Sequence, residues 1–587
     1  MSTLWPRIEP LLARVQKPAR YVGGEDGART PRPERFGGGY VAWLLAYPDA
    51  YEIGLPNQGL QILYEILNDR DDAVAERAYA PWTDLADQMR AAGVPLFSVD
   101  SHRPARDFDI LAFNLSSELV YTNLLEMIDL AGLAVRSADR TENDPLVLVG
   151  GHAAFNPEPI ADFVDAAVLG EGEEVVSEIT EVVARWQAKG GRDRLVLLRQ
   201  LARIPGVYVP SLYEVTYDGD LIAAVTPIYS DAAEVVGKRL VADLGDWPYP
   251  TTPLVPLTEV VHDRLSVEVF RGCTRSCRFC QAGMVSRPVR ERPPDQIRDM
   301  VAKGIEHTGY DEVSLTSLST ADYSDVGDLI HTILDDQSAA GCSSLTVSLP
   351  SLRVDAFTVG LAGEVSNGRR SGLTFAPEAG SWRLRQVINK MVSEEDLFEA
   401  VEAAFSEGWT RMKLYFLTGL PTETDEDTLA IVDLARRCVE IGKRHTNRAS
   451  VTVSLGGFVP KPQRVWRQGG IFQEWGEYFD LDLWTEALTA EGLSLDHYVF
   501  RHRRADEILP WSHLSVGVDP DYLWEDWEHA LAGSGVDDCR WTPCYDCGVC
   551  TGYDLDHVIS SSVAPGSSSD TESEVPVAVG SPEPVVR

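Results

Sequence analysis

The sequence predicts an α/β protein: an N-terminal doubly wound, Rossmann-like parallel sheet, then a partial (β/α)6 TIM-like barrel, then a small helical segment that carries cysteines. Three observations predict it. Short apolar runs alternate with helical periodicity twice, first over residues 41–204 and again over 261–480, which is the pattern of parallel βα units. Glycines stand at the ends of several runs, and two tight cysteine clusters mark the start of the second series and the end of the folded chain. At 587 residues the chain exceeds one ordinary core, so several domains are expected.

Residues 1–40, rich in Pro, Arg and Gly, are expected to be an irregular lead-in. The first series starts with the apolar run Val41 to Ala46, continues through Tyr47-Pro-Asp-Ala-Tyr-Glu-Ile-Gly54 and enters a helical pattern at Leu60, Ile62, Leu63 and Ile66. Further runs follow at Ile110–Leu115, Leu146–Gly151 and Ala166–Leu169, with a helical stretch at Glu118–Ala131. Asn114-Leu-Ser116, Gly150-Gly151 and Gly170-Glu-Gly-Glu173 then fall at strand ends, where glycines let backbone approach a ligand. Residues 205–260 are β-prone and proline-rich and are expected to connect the two series.

The second series predicts strands at Ser266–Phe270, Glu312–Leu318, Leu345–Leu349, Leu373–Phe375, Met412–Leu417 and Ser450–Leu455, with helices such as Glu394–Ser406 and Asp425–Ile441. In such a barrel the chemistry lies at the C-terminal strand ends. Residues 481–558 form a helical, Trp- and acid-rich segment with the second cysteine cluster, and 559–587 are a Ser/Pro/Glu/Val tail too poor in apolar residues to fold.

The formal charge of −38 disfavours a general nucleic-acid or anionic-membrane surface. Residues 1–20 lack a signal-peptide core and no later stretch suits a bilayer span, so a cytoplasmic protein with no membrane association is expected. In a reducing compartment clustered cysteines are metal ligands.

Arg271-Gly-Cys-Thr-Arg-Ser-Cys-Arg-Phe-Cys280 places Cys273, Cys277 and Cys280 in C-x3-C-x2-C spacing just after a strand. Three thiolates on one loop hold three irons of a cubane and leave the fourth iron open, whereas structural zinc usually takes four ligands from paired C-x2-C units. Near the end, Cys544, Cys547 and Cys550 follow two C-x2-C steps, with Cys539 as a fourth candidate; a second [4Fe–4S] cluster and zinc are both open there. Cys342 and Cys438 lie in apolar settings and are expected to be packed thiols.

The cysteine loop, with the aromatic Phe279 before its last cysteine, resembles that of the radical SAM superfamily. The resemblance implies that the open iron chelates S-adenosylmethionine (SAM) and that reductive cleavage yields a 5′-deoxyadenosyl radical. It further implies an external electron donor such as a flavodoxin or ferredoxin. Thr316-Ser-Leu-Ser-Thr320 stands where many members carry a Gly-Gly-Glu contact to the methionine amino group, making Ser317 and Ser319 candidates. Phe375-Ala-Pro-Glu-Ala-Gly380 and the basic residues after it look like a segment of the methylthiotransferase-like branch; Glu378 is the candidate for the ribose and Arg385 or Lys390 for the carboxylate. Leu417-Thr-Gly-Leu-Pro-Thr-Glu-Thr-Asp-Glu-Asp427 resembles a loop of the same branch, with Gly419 shaping the turn.

The first domain resembles the cobalamin-binding-like domains that precede many such barrels. The D-x-H-x-x-G pattern that puts a histidine on cobalt is matched only by Asp100-Ser-His-Arg-Pro-Ala105, which lacks the glycine, so His102 is expected at the surface and corrin binding stays open. Together with Phe155-Asn-Pro-Glu-Pro159, Phe458-Val-Pro-Lys-Pro462 and Pro543-Cys-Tyr-Asp-Cys-Gly-Val-Cys550, these marks resemble a bacterial radical SAM family to which no substrate is assigned. The expected function is SAM cleavage for methylation, sulfur insertion or another modification of RNA or a small molecule. The alternative is an iron–sulfur redox or cluster-carrier protein that does not turn SAM over.

Overall fold

The computed structural model of the chain describes residues 3–559 apart from 325, 342–344, 350–372, 459–480, 491, 493–502, 537, 541–543 and 545. Cys342, most of the Phe458–Pro462 motif and nearly all of the tail lie outside the described residues.

The N-terminal sheet holds β1 (Val41–Tyr47), β2 (Ala73–Tyr79), β3 (Ile110–Asn114), β4 (Leu146–Gly150), β5 (Ala166–Val168) and β6 (Val207–Tyr208) in the order β2-β1-β3-β4-β5-β6. The first five run parallel and β6 antiparallel. Every residue of β1 is buried, as a strand covered on both faces requires. Alternate residues of β1 feed two apolar layers: Leu44 joins Leu111, Val147 and Leu124, while Trp43 and Leu45 join Leu60 and Ile179. The order reverses between β1 and β3, and ligands of doubly wound sheets bind at that switch point.

Two parts differ from the sequence expectation. β2 was not expected, because Glu76 and Arg77 interrupt any apolar run. Arg77 is nonetheless fully buried, ion-paired to Glu25 at 2.8 Å and Asp100 at 2.7 Å, so the edge strand is polar because a charged lid covers it. Glu25 belongs to the lead-in, which is not irregular throughout: Trp5–Leu12 is a helix, and Leu4, Ile8 and Leu12 pack against Leu85 and Met89.

Residues 205–260 contain the hairpin β7 (Tyr213–Asp218) and β8 (Leu221–Pro227), then β9 (Val236–Gly237). Six further parallel strands match the six expected: β10 (Leu265–Glu268), β13 (Glu312–Thr316), β14 (Thr346–Ser348), β15 (Leu373–Glu378), β16 (Arg411–Thr418) and β17 (Ser450–Gly457). Between β10 and β13 the short pair β11 (Phe270–Arg271) and β12 (Arg290–Glu291) brackets the cysteine loop. β10-β13-β14 and β15-β16-β17 each form a parallel group. One apolar core spans both, from Val267 and Leu315 to Phe375 and Leu414, which makes them a single partial barrel. Helices Pro294–Thr308, Glu394–Ser406 and Asp425–His445 follow their strands, the last two opened by capping boxes at Ser393 and Thr424. β18 (Leu514–Ser515) pairs with β9, so the C-terminal segment returns to the connector. Among the described residues no helix is long and apolar enough to cross a membrane.

Candidate active site

The cysteine loop leaves β11 through Gly272, whose φ is +99° and where a Cβ would lie 2.3 Å from the carbonyl oxygen of Pro288. Only glycine fits that turn. Cys277 is buried while Cys273 and Cys280 are partly exposed. Burial pushes the Cys273 thiol up to about 12, and the nearness of Cys277 and Cys280 adds to the rise, so the three thiols converge. Cys280 Sγ accepts from the Gly283 N–H at 3.3 Å and starts the helix Gln281–Val285.

Arginines hold the loop from beneath. Arg287 donates to the carbonyl of Cys273 at 3.2 Å, to that of Arg275 at 2.9 Å and to Ser276 Oγ at 2.8 Å. Arg278 donates to the carbonyls of Gln386 and Val387 at 3.1 and 3.0 Å and pairs with Asp526 at 2.8 Å. Asn389 Nδ2 donates to the Ser276 carbonyl at 3.0 Å, so the segment after β15 is tied to the cysteine loop.

That tie gathers three of the candidate SAM residues. Lys390 Nζ lies 5.9 Å from the Phe279 ring centre and 3.9 Å from Glu378 Oε1. Burial raises the Glu378 pKa, with Lys390 opposing the rise. Glu378 has φ +68° beside a register shift between Phe375 and Glu378, a strained geometry for a non-glycine residue. The other candidates sit apart. Arg385 is fully buried, 3.9 Å from Glu394 Oε1, and among the described residues none of its guanidinium nitrogens has a hydrogen-bond partner. Ser319 donates to Asp322 at 2.6 Å and is taken up by an ion network, while Ser317 contacts Thr320 Oγ1 at 3.0 Å and faces a cavity. Gly419, at φ +82°, donates its N–H to Glu423 and shapes the expected turn.

The second cysteine set stands directly behind the first. Burial pushes the Cys550 thiol up to about 11, and Cys547, Cys539 and Cys544 all lie near enough to raise it further. Arg287 reaches Cys547 Sγ at 3.5 Å, and Cys539 Sγ lies 3.4 Å from the Thr274 carbonyl oxygen. Arg275 pairs with both Asp322 and Asp538 at 2.9 Å, and Arg540 pairs with the same two at 3.1 and 2.9 Å. Sequence spacing could not show this adjacency across 260 residues. Among the described residues no group of His, Cys, Asp or Glu is arranged to hold a metal ion as the side chains stand. A cubane takes one thiolate per iron, a wider spacing than the tetrahedron around one zinc.

A cavity of about 480 Å³ lies at the switch point, walled by the ends of β1, β3 and β4 and closed on the barrel side by Arg271, Gly272, Ser286 and Ser317. Its walls are mainly apolar, and its polar groups include the neutral Asn57, Gln58, Asn114 and Ser116. Its arginine is neutralised: Arg271 pairs with Glu173 at 2.8 Å and Glu268 at 3.0 Å. His152, missed in the sequence, lies at this cavity; its place directly after Gly150-Gly151 was the available signal. His102 is elsewhere and half-buried rather than on the surface. It packs 4.6 Å from Trp5 and 5.9 Å from Phe97, with Nε2 3.1 Å from the Tyr21 carbonyl oxygen. Of the strand-end glycines, Gly170 serves the fold, since a Cβ there would lie 2.1 Å from the Arg239 carbonyl oxygen.

A partial barrel with a cysteine loop after its first strand, preceded by a doubly wound domain, defines the class: a radical SAM enzyme. The chain carries a radical SAM domain: the family description "Radical SAM superfamily" matches residues 267–435, and a second, "Radical SAM proteins, N-terminal", matches residues 59–210. Enzymes of the superfamily hold a [4Fe–4S] cluster and SAM. An uncharacterised protein of Methanocaldococcus jannaschii is 27% identical over 378 residues, 64% of this chain and 72% of the relative. A tRNA-2-methylthio-N(6)-dimethylallyladenosine synthase of Petrotoga mobilis is 26% identical over 210 residues, 34% of this chain and 47% of that enzyme. Among solved structures, the cobalamin-dependent SAM radical enzyme OxsB, with aqua-cobalamin and SAM bound, aligns with TM-score 0.50 at 12% identity. The alignment covers 79% of this chain and 63% of that one, and the likeness is one of fold.

Proposed function

We propose that the chain cleaves SAM at a [4Fe–4S] cluster held by Cys273, Cys277 and Cys280 and modifies its substrate by methyl transfer through a corrinoid seated in the switch-point cavity. The observation that carries this reading is the shared wall: the cavity touches the C-terminal edge of the first sheet and also Arg271, Gly272 and Ser286, which flank the cysteine loop. A scaffold domain has no need of such a junction. The converging thiols suit a cluster, which would leave one iron open to SAM and, once reduced, would supply the electron for cleavage of a carbon–sulfur bond.

Lys390 is assigned to the SAM carboxylate because it lies with Glu378 on the segment tied to the loop and faces Phe279; Glu378, partly buried and backbone-strained, is assigned to the ribose. The cavity suits a corrinoid by chemistry. Apolar walls accept the macrocycle faces, neutral amide and hydroxyl side chains match its carboxamide rim, and the paired Arg271 disfavours a phosphate-rich dinucleotide. A bound corrinoid supplies a methyl carrier. The residues of the cavity wall orient it and exclude water between the two domains.

The four C-terminal cysteines are assigned to a second [4Fe–4S] cluster, with electrons arriving from a flavodoxin- or ferredoxin-like donor in the cytoplasm. Sulfur insertion into RNA is the second reading, favoured by the tRNA-modifying relative and opposed by the charge of −38. Anaerobic purification with iron, sulfide, cobalt and zinc analysis, followed by assay for 5′-deoxyadenosine and S-adenosylhomocysteine, tests all of this. Cobalt with both products supports methyl transfer. Iron without cobalt refutes the corrinoid, and absence of both products refutes SAM turnover and leaves the redox-carrier alternative.

A further inference from the structure

We propose that His557 is the hydrogen-bond donor that tunes the second cluster through the sulfur of Cys539, and is not itself a ligand. The inference deepens the reading of Cys539, Cys544, Cys547 and Cys550 as cluster ligands and rests on it.

His557 Nδ1 lies 2.9 Å from the backbone nitrogen of Val289. A backbone N–H can only donate, so Nδ1 must offer its lone pair, and a neutral imidazole then carries its proton on Nε2. Nε2 lies 3.3 Å from Cys539 Sγ. With the proton there, Nε2 has no lone pair for a metal, and Nδ1 has already used its own. Metal-bound histidines show the opposite arrangement, with the second ring nitrogen donating to a carboxylate or carbonyl.

The backbone fixes this geometry on both sides of the ring. The Val558 N–H donates to the Val289 carbonyl at 2.8 Å and the Glu291 N–H donates to the Val558 carbonyl at 2.8 Å, so His557 is clamped to the strand that closes the first cysteine loop. Its proton is therefore aimed at Cys539 by the fold, not by a flexible side chain. A hydrogen bond to a cluster sulfur stabilises the reduced, more negative state and raises the reduction potential. Cys539 lies outside the C-x2-C-x2-C run and only one residue from the Asp538 anchor, so the fold brings its sulfur to His557 as it brings that of Cys547 to Arg287.

The test uses the full-length chain, anaerobically reconstituted, with Cys273, Cys277 and Cys280 replaced by Ala so that only the second centre titrates. Iron and zinc content and an EPR-monitored redox titration are compared for His557, His557→Phe and His557→Gln. The expected result is unchanged iron in all three and a lower midpoint potential for H557F, of the size of a tenfold change in the one-electron equilibrium, about 59 mV. H557Q, whose amide retains an N–H donor, recovers at least half of that shift. Loss of iron in H557F makes His557 a ligand and overturns the assignment, as does an unchanged potential or a shift that Gln does not recover. Zinc in place of iron in the His557 protein overturns the second-cluster reading and this inference together, a result distinct from the failure of His557 alone.

Discussion

Burial and the neighbouring Cys277 and Cys280 raise the Cys273 thiol, which therefore resists ionisation until a cation satisfies it. Replacing Cys273, Cys277 or Cys280 by Ala is expected to abolish 5′-deoxyadenosine formation while leaving the iron of the second centre in place, as iron analysis would show. Retained product removes the ligand assignment. The basic residues separate in the same way. Lys390→Met is expected to raise the SAM dissociation constant by about tenfold or more, the usual effect of losing one charge-assisted contact of 1.5–3 kcal/mol. A larger loss from Arg385→Met would move the carboxylate contact to Arg385. These residues were legible as candidates because their spacing is local. Which base lies beside Phe279 was not, since it depends on Asn389 reaching Ser276 across 113 residues.

Elements decide how the loop is held. Burial would raise the Asp538 carboxyl, but hydrogen bonds from Arg540 and Thr274 and the charge of Arg275 hold it down to about 2, below its usual 3.8. A depressed carboxyl stabilises the fold above its unfolded pKa, so this contribution is intact above about pH 4 and fades as pH falls towards 2. Asp538→Asn is expected to destabilise the docking of the C-terminal segment by about 3 kcal/mol, because it leaves buried guanidinium charge under-compensated. Hydrogen exchange at residues 546–558 reads that loosening, and unchanged protection counts against the network. The strand ends are equally specific. A Cβ at Gly150 would meet only Val168 Cβ at 4.0 Å, so Gly150→Leu fills the cavity without backbone strain. It is expected to eliminate cobalt from the purified protein while leaving iron content unchanged.

At the scale of the molecule the two α/β domains meet through charge. Glu171 and Glu173 of the loop after β5 pair with Arg290 and Arg271 on either side of the cysteine loop, at 2.7 and 2.8 Å. A ligand in the cavity therefore bears on the loop of Cys273, Cys277 and Cys280. The C-terminal segment adds a third body of contacts through β18 on β9 and through Asp538, which makes the second cysteine set part of the barrel's support. Arg271→Met removes one member of this partly buried set and is expected to lower thermal stability and SAM turnover together. Full turnover in R271M would separate the domains functionally.

The fold class and the two cysteine sets were determined by the sequence alone, because apolar periodicity and ligand spacing are local properties of the chain. Even so, β2 escaped notice because its Glu76 and Arg77 are buried by the distant Glu25 and Asp100, and the helix Trp5–Leu12 because its partners Leu85 and Met89 lie far along the chain. Only the tertiary structure decided that Cys539 and Cys547 stand against the loop of Cys273, that His152 and not His102 faces the switch-point cavity, and that Asp322, to which Ser319 donates, pairs with Arg275 and Arg540. Each of these is a contact across the fold, and its energy comes from charges and hydrogen bonds removed from water together, which no stretch of sequence displays by itself.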